Sequence, residues 1–220
     1  MPVIGPIAVA IARPFRRDHF DGSANYWEQR YTVGGSSGAG SYNRLAEFKA
    51  AFLNDFVDRN KIWSIIEFGS GDGAQLELAR YPDYIGVDVS KTAVAATRSR
   101  FAKDGSKRFY ESTELPEGTS AELALSLDVI YHLVEDDVFD SYMRALFDTA
   151  THFVIIYSSN ADAGAPAPHV RHRRFTDWID INRPNFELQA QVPNPYPFDE
   201  NDPDNTSFAD FYVFESAQPR

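Results

Sequence analysis

The sequence predicts an α/β fold in which helices cover both faces of a parallel sheet that ends in an antiparallel β-hairpin. From Ile62 onwards, short apolar runs alternate with stretches whose apolar residues recur at helical spacing. That alternation is typical of parallel strands joined by helices. In the last third of the chain, two apolar runs are joined by a proline-containing loop with no helical pattern between them. This indicates two strands that pair antiparallel.

Seven strands, and the helices between them, follow in order along the chain. The strands are predicted at residues 62–66, 84–87, 107–110, 122–127, 152–157, 185–192 and 209–215. Helices are predicted at residues 42–60, with Ser41 as the N-cap, at 74–80, 91–102 and 137–149, and from Thr176 onwards. With 220 residues, the chain is long enough for one domain with a sizeable core.

The first 43 residues do not follow this alternation. The apolar run Val3–Ala12 is far shorter than the ~20 residues of a membrane span, and its arginines follow it, whereas a secretory signal places positive charge first. We interpret the run as an arm that packs on its own domain or on a second subunit of a homodimer. Residues 19–43 are rich in glycine, which suggests a mobile loop, and in aromatic residues suited to cover a flat or apolar ligand.

Composition excludes several classes of function. The net charge of −11 disfavours phosphate backbones and anionic lipid surfaces, so we expect neither a nucleic acid nor a membrane as partner. The chain has no Cys, which removes disulfides, thiolate metal sites and cysteine nucleophiles. That composition suits a reducing compartment, and we expect a cytoplasmic protein.

The turn after the first strand carries the main functional signal. Its sequence is Glu67-Phe68-Gly69-Ser70-Gly71-Asp72-Gly73, and glycines there allow close approach of the backbone to a ligand. Asp88 ends the second strand, where a carboxylate can accept both hydroxyls of a ribose. The pattern predicts a nucleoside-binding site at the carboxyl ends of the strands. NAD is one possible ligand, but the Glu67 carboxylate would repel its pyrophosphate, whereas it would suit a ligand with an ammonium and a sulfonium.

The Glu67-x-Gly69-x-Gly71-x-Gly73 motif followed by Asp88 resembles that of the class I S-adenosylmethionine-dependent methyltransferases. The resemblance implies a Rossmann-like, seven-stranded, doubly wound sheet with a C-terminal antiparallel hairpin. It also implies S-adenosylmethionine as cofactor, bound by its methionine part at Gly69 and Gly71 and by its ribose at Asp88. The remaining implied cofactor contacts are Glu67, Val89 on the adenine, Glu111 and Ser112 at the adenine edge, and Leu127 after the fourth strand.

The segment after the fourth strand, Asp128-Val129-Ile130-Tyr131-His132, suggests how an acceptor is activated. A hydroxyl acceptor must lose a proton, and a histidine that titrates near neutrality is suited to take it, so His132 is the predicted general base. Asp128 could orient His132, contact the cofactor or bind a divalent metal such as magnesium together with His132. Some small-molecule O-methyltransferases resemble this segment but carry Glu-x-x-Glu-His on a metal. Tyr131 replaces one ligand here, which puts a metal in doubt.

The acceptor side is predicted after the fifth strand. Its candidate contacts are Tyr131, Asn160, His169, Arg171, His172 and Trp178. Three interpretations of the basic stretch 169–174 remain open: it lines an acceptor pocket, it supplies a second catalytic histidine in place of His132, or it offsets the acids of residues 199–210. Trp178 is either a core residue or a platform on which a ring stacks.

The N-terminal residues Tyr26-Trp27-Glu28-x-Arg30-Tyr31 resemble the lid of sugar- and small-molecule-directed methyltransferases. The resemblance implies that Arg30 meets the cofactor carboxylate and Tyr31 caps the methionine part. It divides the chain into an arm and lid (1–43) and a methyltransferase domain (44–220). The whole set of loops resembles bacterial methyltransferases found with glycan-assembly enzymes, including the mannoside O-methyltransferases of mycobacterial methylmannose polysaccharide synthesis.

We therefore expect an S-adenosylmethionine-dependent O-methyltransferase that modifies a hydroxyl of a sugar or oligosaccharide. The alternatives are an N- or carboxyl-methyltransferase of a small metabolite, a non-catalytic nucleoside-binding subunit, and an NAD-dependent enzyme.

Overall fold

A computed structural model of the protein describes residues 20–164 and 167–217. Its single sheet has seven strands in the order β3-β2-β1-β4-β5-β7-β6. The strands are β1 Ser64–Phe68, β2 Asp83–Asp88, β3 Lys107–Glu111, β4 Ala121–Leu127, β5 Ala150–Ser158, β6 Phe186–Val192 and β7 Asp210–Ser216. Strands β1 to β5 run parallel, and β7 pairs antiparallel with both β5 and β6. The predicted α/β sheet with a C-terminal antiparallel hairpin is confirmed.

Helices cover both faces of this sheet. They are α1 Ser23–Thr32, α2 Asn43–Asn60, α3 Lys91–Arg100, α4 Asp136–Thr149 and α5 Phe175–Asn182, with short 3-10 turns at Ala39–Ser41, Gln75–Leu78 and Ile130–His132. On one face, Leu53 of α2 and Val94 of α3 join a core with alternate strand residues. On the other face, Met143 of α4 and Ile179 of α5 do the same. Each such apolar side chain contributes roughly 1.5–3 kcal/mol when it leaves water.

Three predicted elements differ from the structure, and each difference has a local cause. The first strand begins at Ser64 and not at Ile62, because the Glu122 carboxylate accepts the backbone N–H groups of Trp63 and Ser64 at 2.8 and 2.9 Å. The helix predicted at 74–80 is only the 3-10 turn Gln75–Leu78.

That turn ends because the Asn54 side chain of α2 occupies the backbone groups that a longer helix would use. The Asn54 amide donates to the Leu78 carbonyl at 2.9 Å and accepts from the Arg80 N–H at 2.8 Å. The third difference is at the start of α2. Ser41 does not cap this helix, because Tyr42 is the residue before its first turn and makes no side-chain capping bond.

The N-terminal region contains a helix that the glycine-rich sequence did not predict. Residues 23–32 form α1, although we predicted a mobile loop for residues 19–43. The apolar arm predicted at Val3–Ala12 lies outside the described residues. None of the helices in residues 20–164 and 167–217 is both long enough and apolar enough to cross a membrane.

The connection between β3 and β4 contains no helix. It crosses the α4 face of the sheet as a loop over residues 112–120, with Leu115 packed on the core. This loop and α4 both contribute side chains, Leu115 and Tyr142 among them, to a cavity at the carboxyl ends of the strands.

Candidate functional site

A cavity of about 490 Å³ lies where β1, β2 and β4 end, beneath α1. Its position at the carboxyl ends of parallel strands, next to the point where the strand order reverses, is where such sheets bind ligands. Ten residues that the sequence singled out line it. They are Tyr31, Glu67, Gly69, Gly71, Asp88, Val89, Ser112, Leu127, Asp128 and His132.

The glycine-rich turn forms the floor of the cavity. The N–H groups of Gly69 and Ser70 both donate to the Val87 carbonyl, at 2.7 and 3.1 Å, so the chain turns sharply after β1. Gly69 and Gly71 have φ of 79° and 58°, in the left-handed region that favours glycine. A Cβ at Gly71 would collide with the Ser37 hydroxyl, so the small residue also lets the N-terminal loop approach.

Asp88 is fixed beside this turn. Its carboxylate accepts the Gly71 N–H at 2.8 Å and the Ser90 N–H at 2.9 Å. Burial raises the pKa of Asp88, while the backbone N–H donors act in the opposite direction. Because a carboxylate has about four acceptor positions, Asp88 keeps capacity for hydroxyl donors from a ligand.

Glu67 is the second buried acid of the floor. It is 5% exposed and accepts the Tyr84 hydroxyl at 2.7 Å. Burial raises the pKa of Glu67 to about 7, and the Tyr84 hydrogen bond and the Lys49 charge act against that rise. Ionisation of Glu67 is therefore easily promoted by a cation that enters the cavity.

Helix α1 covers the cavity and is fastened at two places. At its start, the Ser23 hydroxyl and N–H donate to the Glu135 carboxylate at 2.6 and 2.8 Å. Further along, the Glu28 carboxylate accepts the hydroxyls of Ser90 and Thr92, both at 2.6 Å. We name these contacts the Ser23 tether and the Glu28 tether. Neither tether is readable from local sequence, because the partners lie more than sixty residues away along the chain.

The loop after α1 continues the cover. The Tyr31 and Ser37 hydroxyls are 3.0 Å apart, and the Asp72 carboxylate accepts from the Ser37 N–H at 2.9 Å and the Tyr42 hydroxyl at 2.8 Å. Gly40 lies so close to Asp128 that a Cβ there would be 2.6 Å from its carboxylate. The cover therefore contacts both the glycine-rich turn and the end of β4.

Lys49 is a buried residue of the site that the sequence analysis missed. Its side chain is 1% exposed, and its ammonium is 2.5 Å from Oδ2 of Asp128. The other oxygen of Asp128 accepts the Tyr131 hydroxyl at 2.8 Å. The signal was present, because Lys49 lies midway between Leu45 and Leu53 on the buried stripe of α2.

Asp128 itself has an unusual backbone. Its φ of 60° is in the left-handed region, which Asp tolerates better than most residues, and its N–H donates to the Tyr157 carbonyl at 2.9 Å. This conformation at the end of β4 lets the carboxylate face both Lys49 and Tyr131.

His132 has one ring nitrogen engaged and one free. Nδ1 is 3.0 Å from the His169 carbonyl, which can only accept, so Nδ1 carries the proton and Nε2 carries the lone pair. Within residues 20–164 and 167–217, Nε2 has no hydrogen-bond partner. The Trp27 ring meets the imidazole edge-on at a centroid distance of 4.9 Å. Burial lowers the pKa of His132 to about 4, so the imidazole is neutral at pH 7.

Two predicted cofactor contacts do not line the cavity. The Arg30 guanidinium turns to the cover, where Nε donates to the Ser36 carbonyl at 2.6 Å and the group lies 5.6 Å from the centre of the Trp27 ring. Glu111 ends β3 beside Asp88 and is half-buried outside the lining, which Ser112 joins in its place. Lys49, and not Arg30, is thus the cation inside the cavity.

None of the predicted acceptor residues is among those that line the cavity. His169 stacks on Tyr26 at 4.4 Å, and His172 accepts or donates at Nδ1 to the Ser159 hydroxyl at 2.7 Å. Tyr131 and His172 both contact the Phe208 ring edge-on, at 4.8 and 4.6 Å.

Asn160 and Trp178 are also distant from the lining. The Asn160 amide donates to the Thr176 hydroxyl at 3.0 Å. The Trp178 indole donates to Asp140 at 2.9 Å, and its ring packs beside Phe139 and Phe147 at 6.2 and 6.3 Å. Trp178 therefore has the packing of a core residue.

The basic stretch 169–174 is neutralised by neighbours that the sequence did not indicate. Arg171 and Arg173 both pair with Asp136, at 3.0 and 2.6 Å, and both donate to the Val134 carbonyl. Arg174 lies 4.0 Å from Asp162 and 3.9 Å from Asp177. The acids of residues 199–210 are not their partners.

The residues that line the cavity fit S-adenosylmethionine chemically. The glycines let the backbone approach a cationic nucleoside that has no pyrophosphate. The Asp88 carboxylate, at the end of β2, could accept the hydroxyls of its ribose. Two lining residues, Ser70 and Gln75, each hold a buried side-chain oxygen with no hydrogen-bond partner among the described residues. For a metal, the same part of the chain contains no group of three or more His, Asp or Glu placed to bind one ion.

Comparison with known proteins supports the fold. No protein-family model and no curated protein matches the chain. Among solved structures, the N-methyltransferase NodS from Bradyrhizobium japonicum, in complex with S-adenosyl-L-homocysteine, is similar with a TM-score of 0.69 and 14% identity, over 90% of this chain and 100% of that one.

Two further structures have acceptors of other kinds in their names. Magnesium protoporphyrin IX methyltransferase ChlM from Synechocystis, with S-adenosylhomocysteine bound, gives a TM-score of 0.59 and 14% identity over 90% and 96% of the two chains. The small RNA methyltransferase HEN1 gives 0.58 and 16% over 81% of this chain and 27% of that one. The chain therefore has the fold of the class I S-adenosylmethionine-dependent methyltransferases.

Proposed function

We propose that the protein is an S-adenosylmethionine-dependent O-methyltransferase that modifies a hydroxyl group of a sugar or oligosaccharide, such as a mannoside. The observation that carries the proposal is that one cavity is lined by the glycine-rich turn, by Asp88 and by His132, whose Nε2 makes no hydrogen bond within the described residues. The first two suit the cofactor. The third suits an acceptor that must lose a proton.

Within the cavity, Asp88 would hold the ribose hydroxyls, Gly69 and Gly71 would allow close approach of the methionine part, and Val89 would contact the adenine. The cofactor supplies, when bound, an electrophilic methyl group on a sulfonium whose sulfur leaves as a neutral thioether. The protein therefore needs mainly to align the acceptor, which can account for about 7–11 kcal/mol of a barrier. The cover formed by α1 and its loop excludes water while it does so.

His132 is the proposed general base. As the O–CH₃ bond forms, the hydroxyl proton passes to Nε2, and the Nδ1–H bond to the His169 carbonyl keeps the imidazole in the required tautomer. Burial lowers the pKa of His132 to about 4, below the near-neutral value expected from the sequence, so the imidazole is neutral throughout the neutral pH range but is a weaker base. General-base catalysis contributes about 10²–10⁴-fold to a rate and is most effective when the pKa lies near the operating pH, so we expect the low end of that range here.

The test is transfer of a labelled methyl group to a panel of mannosides, glucosides and short oligosaccharides, with and without a chelator. We expect turnover with at least one neutral sugar, and a fall of about 10²-fold in His132→Ala with cofactor binding retained. Calorimetry with S-adenosylhomocysteine and with NAD identifies the cofactor. A heat of binding for NAD and none for S-adenosylhomocysteine would refute the proposal.

A methyltransferase of a small amine is the second candidate. On the side of the molecule that holds the predicted acceptor residues, acidic side chains outnumber basic side chains that have no acidic partner. Phe208 follows the loop 193–207 and contacts the rings of Tyr131 and His172. The acidic residues of this loop are Asp199, Glu200, Asp202 and Asp204. Only Asp202 has a cationic partner within the described residues, Arg44 at 3.2 Å. An amine acceptor needs no strong base, so full turnover of amino sugars or polyamines by His132→Ala would favour this candidate.

A further inference from the structure

The ionisable side chains that line the cavity are strongly unbalanced. The lining carboxylates come from Glu67, Asp72, Asp88, Asp128 and Asp137. Among the described residues, Lys49 supplies the one ammonium of the lining, and His132 is neutral at pH 7. A cavity of this composition attracts cations.

Lys49 acts on two of these acids at once. Its ammonium is 2.5 Å from Asp128, and its charge also works against the raised pKa of Glu67. The side chain is 1% exposed, so water screens its charge much less than that of a surface lysine. The Tyr157 ring, with its centre 5.3 Å from Nζ, closes the site on the other side.

Resting on the proposed function, we propose that Lys49 sets how strongly the protein discriminates between its cationic cofactor and the neutral product. S-adenosylmethionine and S-adenosylhomocysteine share every charged group except the sulfonium. A fixed positive charge in the cavity therefore weakens binding of the first and leaves the second nearly unaffected. By offsetting one carboxylate, Lys49 limits the preference for the sulfonium.

This role has a consequence for the rate. Positive charge leaves the sulfur as the methyl group is transferred, so a cavity that bound the sulfonium more tightly would stabilise the reactant more than the transition state. Lys49 restrains that unproductive binding. Its ion pair also holds the Asp128 carboxylate in place, with the other oxygen of that group accepting the Tyr131 hydroxyl.

The experiment measures Kd for S-adenosylmethionine and for S-adenosylhomocysteine by calorimetry and follows the ratio of product Kd to cofactor Kd. At an effective dielectric of about 20, a unit charge that acts over roughly 12 Å changes such a ratio about tenfold. We expect a rise of about that size in Lys49→Met, no change in Lys49→Arg, and a fall in Asp128→Asn. The double variant Lys49→Met/Asp128→Asn loses both charges and should return to within about threefold of the wild type.

Lys107→Met is the matched control, because Lys107 makes a 2.5 Å ion pair with Asp104 outside the cavity lining. It changes the net charge as Lys49→Met does and should leave the ratio unchanged. If Lys49→Met fails to fold, comparison of Asp128→Asn with the double variant isolates Lys49, and the ratio should be about tenfold higher in the double variant.

The outcomes separate the two proposals. Binding of both ligands with a ratio that moves less than twofold in Lys49→Met, or equally in Lys107→Met, would overturn the role of Lys49 alone. Binding of neither ligand to the wild type would overturn the proposed function and this inference with it.

Discussion

Replacement of Glu28 by Gln tests whether charge holds the covering helix α1 over the cavity. The Glu28 carboxylate accepts the hydroxyls of Ser90 and Thr92 at 2.6 Å and the Thr92 N–H at 3.2 Å. These hydrogen bonds, that of Ser90 first, lower the pKa of Glu28 to about 2. The helix is thus fastened to the loop after β2 by an ionised group.

The expected magnitude follows from these bonds. A hydrogen bond to a charged group contributes about 1.5–3 kcal/mol, and Gln removes the charge and one of the two acceptor oxygens. We therefore expect the free energy of opening of α1 to fall by about 2–3 kcal/mol, which is about 30- to 150-fold in the equilibrium. The effect has a pH window: since the pKa is depressed, the stabilisation is present above pH 4.5 and is lost as the pH falls towards 2.

Hydrogen exchange of the α1 amides at pH 7, without cofactor, measures this opening. Exchange of the α1 amides should be about 30- to 150-fold faster in Glu28→Gln than in the wild type. The cofactor should also bind more weakly. Glu47→Gln is the control, because Glu47 is exposed on α2 and has no ion pair or hydrogen bond within the described part of the chain. Exchange within about threefold of the wild type in Glu28→Gln would refute the reasoning and leave packing of Trp27 as the main restraint.

Three further predictions concern His132, the glycine-rich turn and the core. In the wild type, the unfolded state binds the His132 proton at a higher pH than the native state does, so the free energy of unfolding falls by up to about 3 kcal/mol between pH 6.5 and 4. His132→Gln should remove this decline, and urea unfolding at several pH values measures it. Gly71→Ala should weaken S-adenosylhomocysteine binding about tenfold in calorimetry, since residue 71 needs a φ of 58° and a Cβ would displace Ser37. Leu123→Ala should lower the free energy of unfolding by about 3–5 kcal/mol, because Leu123 is fully buried in the central sheet; a loss below about 1 kcal/mol would mean that the core collapses around the gap.

Local patterns predicted the sheet and the cofactor side of the site, because both depend on residues close together in the sequence. The turn from Glu67 to Gly73 and the acid at the end of β2 are such patterns, and the structure places them on one cavity. The helix predicted at 74–80 was wrong for a reason that no local pattern contains. Asn54, on another helix, takes the backbone groups that would have extended it.

The cover and the acceptor side depended on contacts between distant parts of the chain. Helix α1 has a weakly patterned sequence between glycines, and the Ser23 and Glu28 tethers stabilise it through residues far along the chain. Arg30, expected inside the cavity, is held by Ser36 outside it. Lys49 was the one missed residue with a readable signal, a charge on the buried stripe of α2.

Helix α1 is fastened at its first residue, Ser23, and near its middle, at Glu28, so release of one tether leaves the other in place. Release of the Glu28 tether uncovers Asp88 and the loop that holds Ser90, which is the ribose side. Release of the Ser23 tether uncovers His132, whose carbonyl oxygen lies 2.7 Å from the Ser23 hydroxyl. If the proposed function holds, the Glu28 tether would cover the cofactor and the Ser23 tether would cover the base, so the two could be uncovered separately.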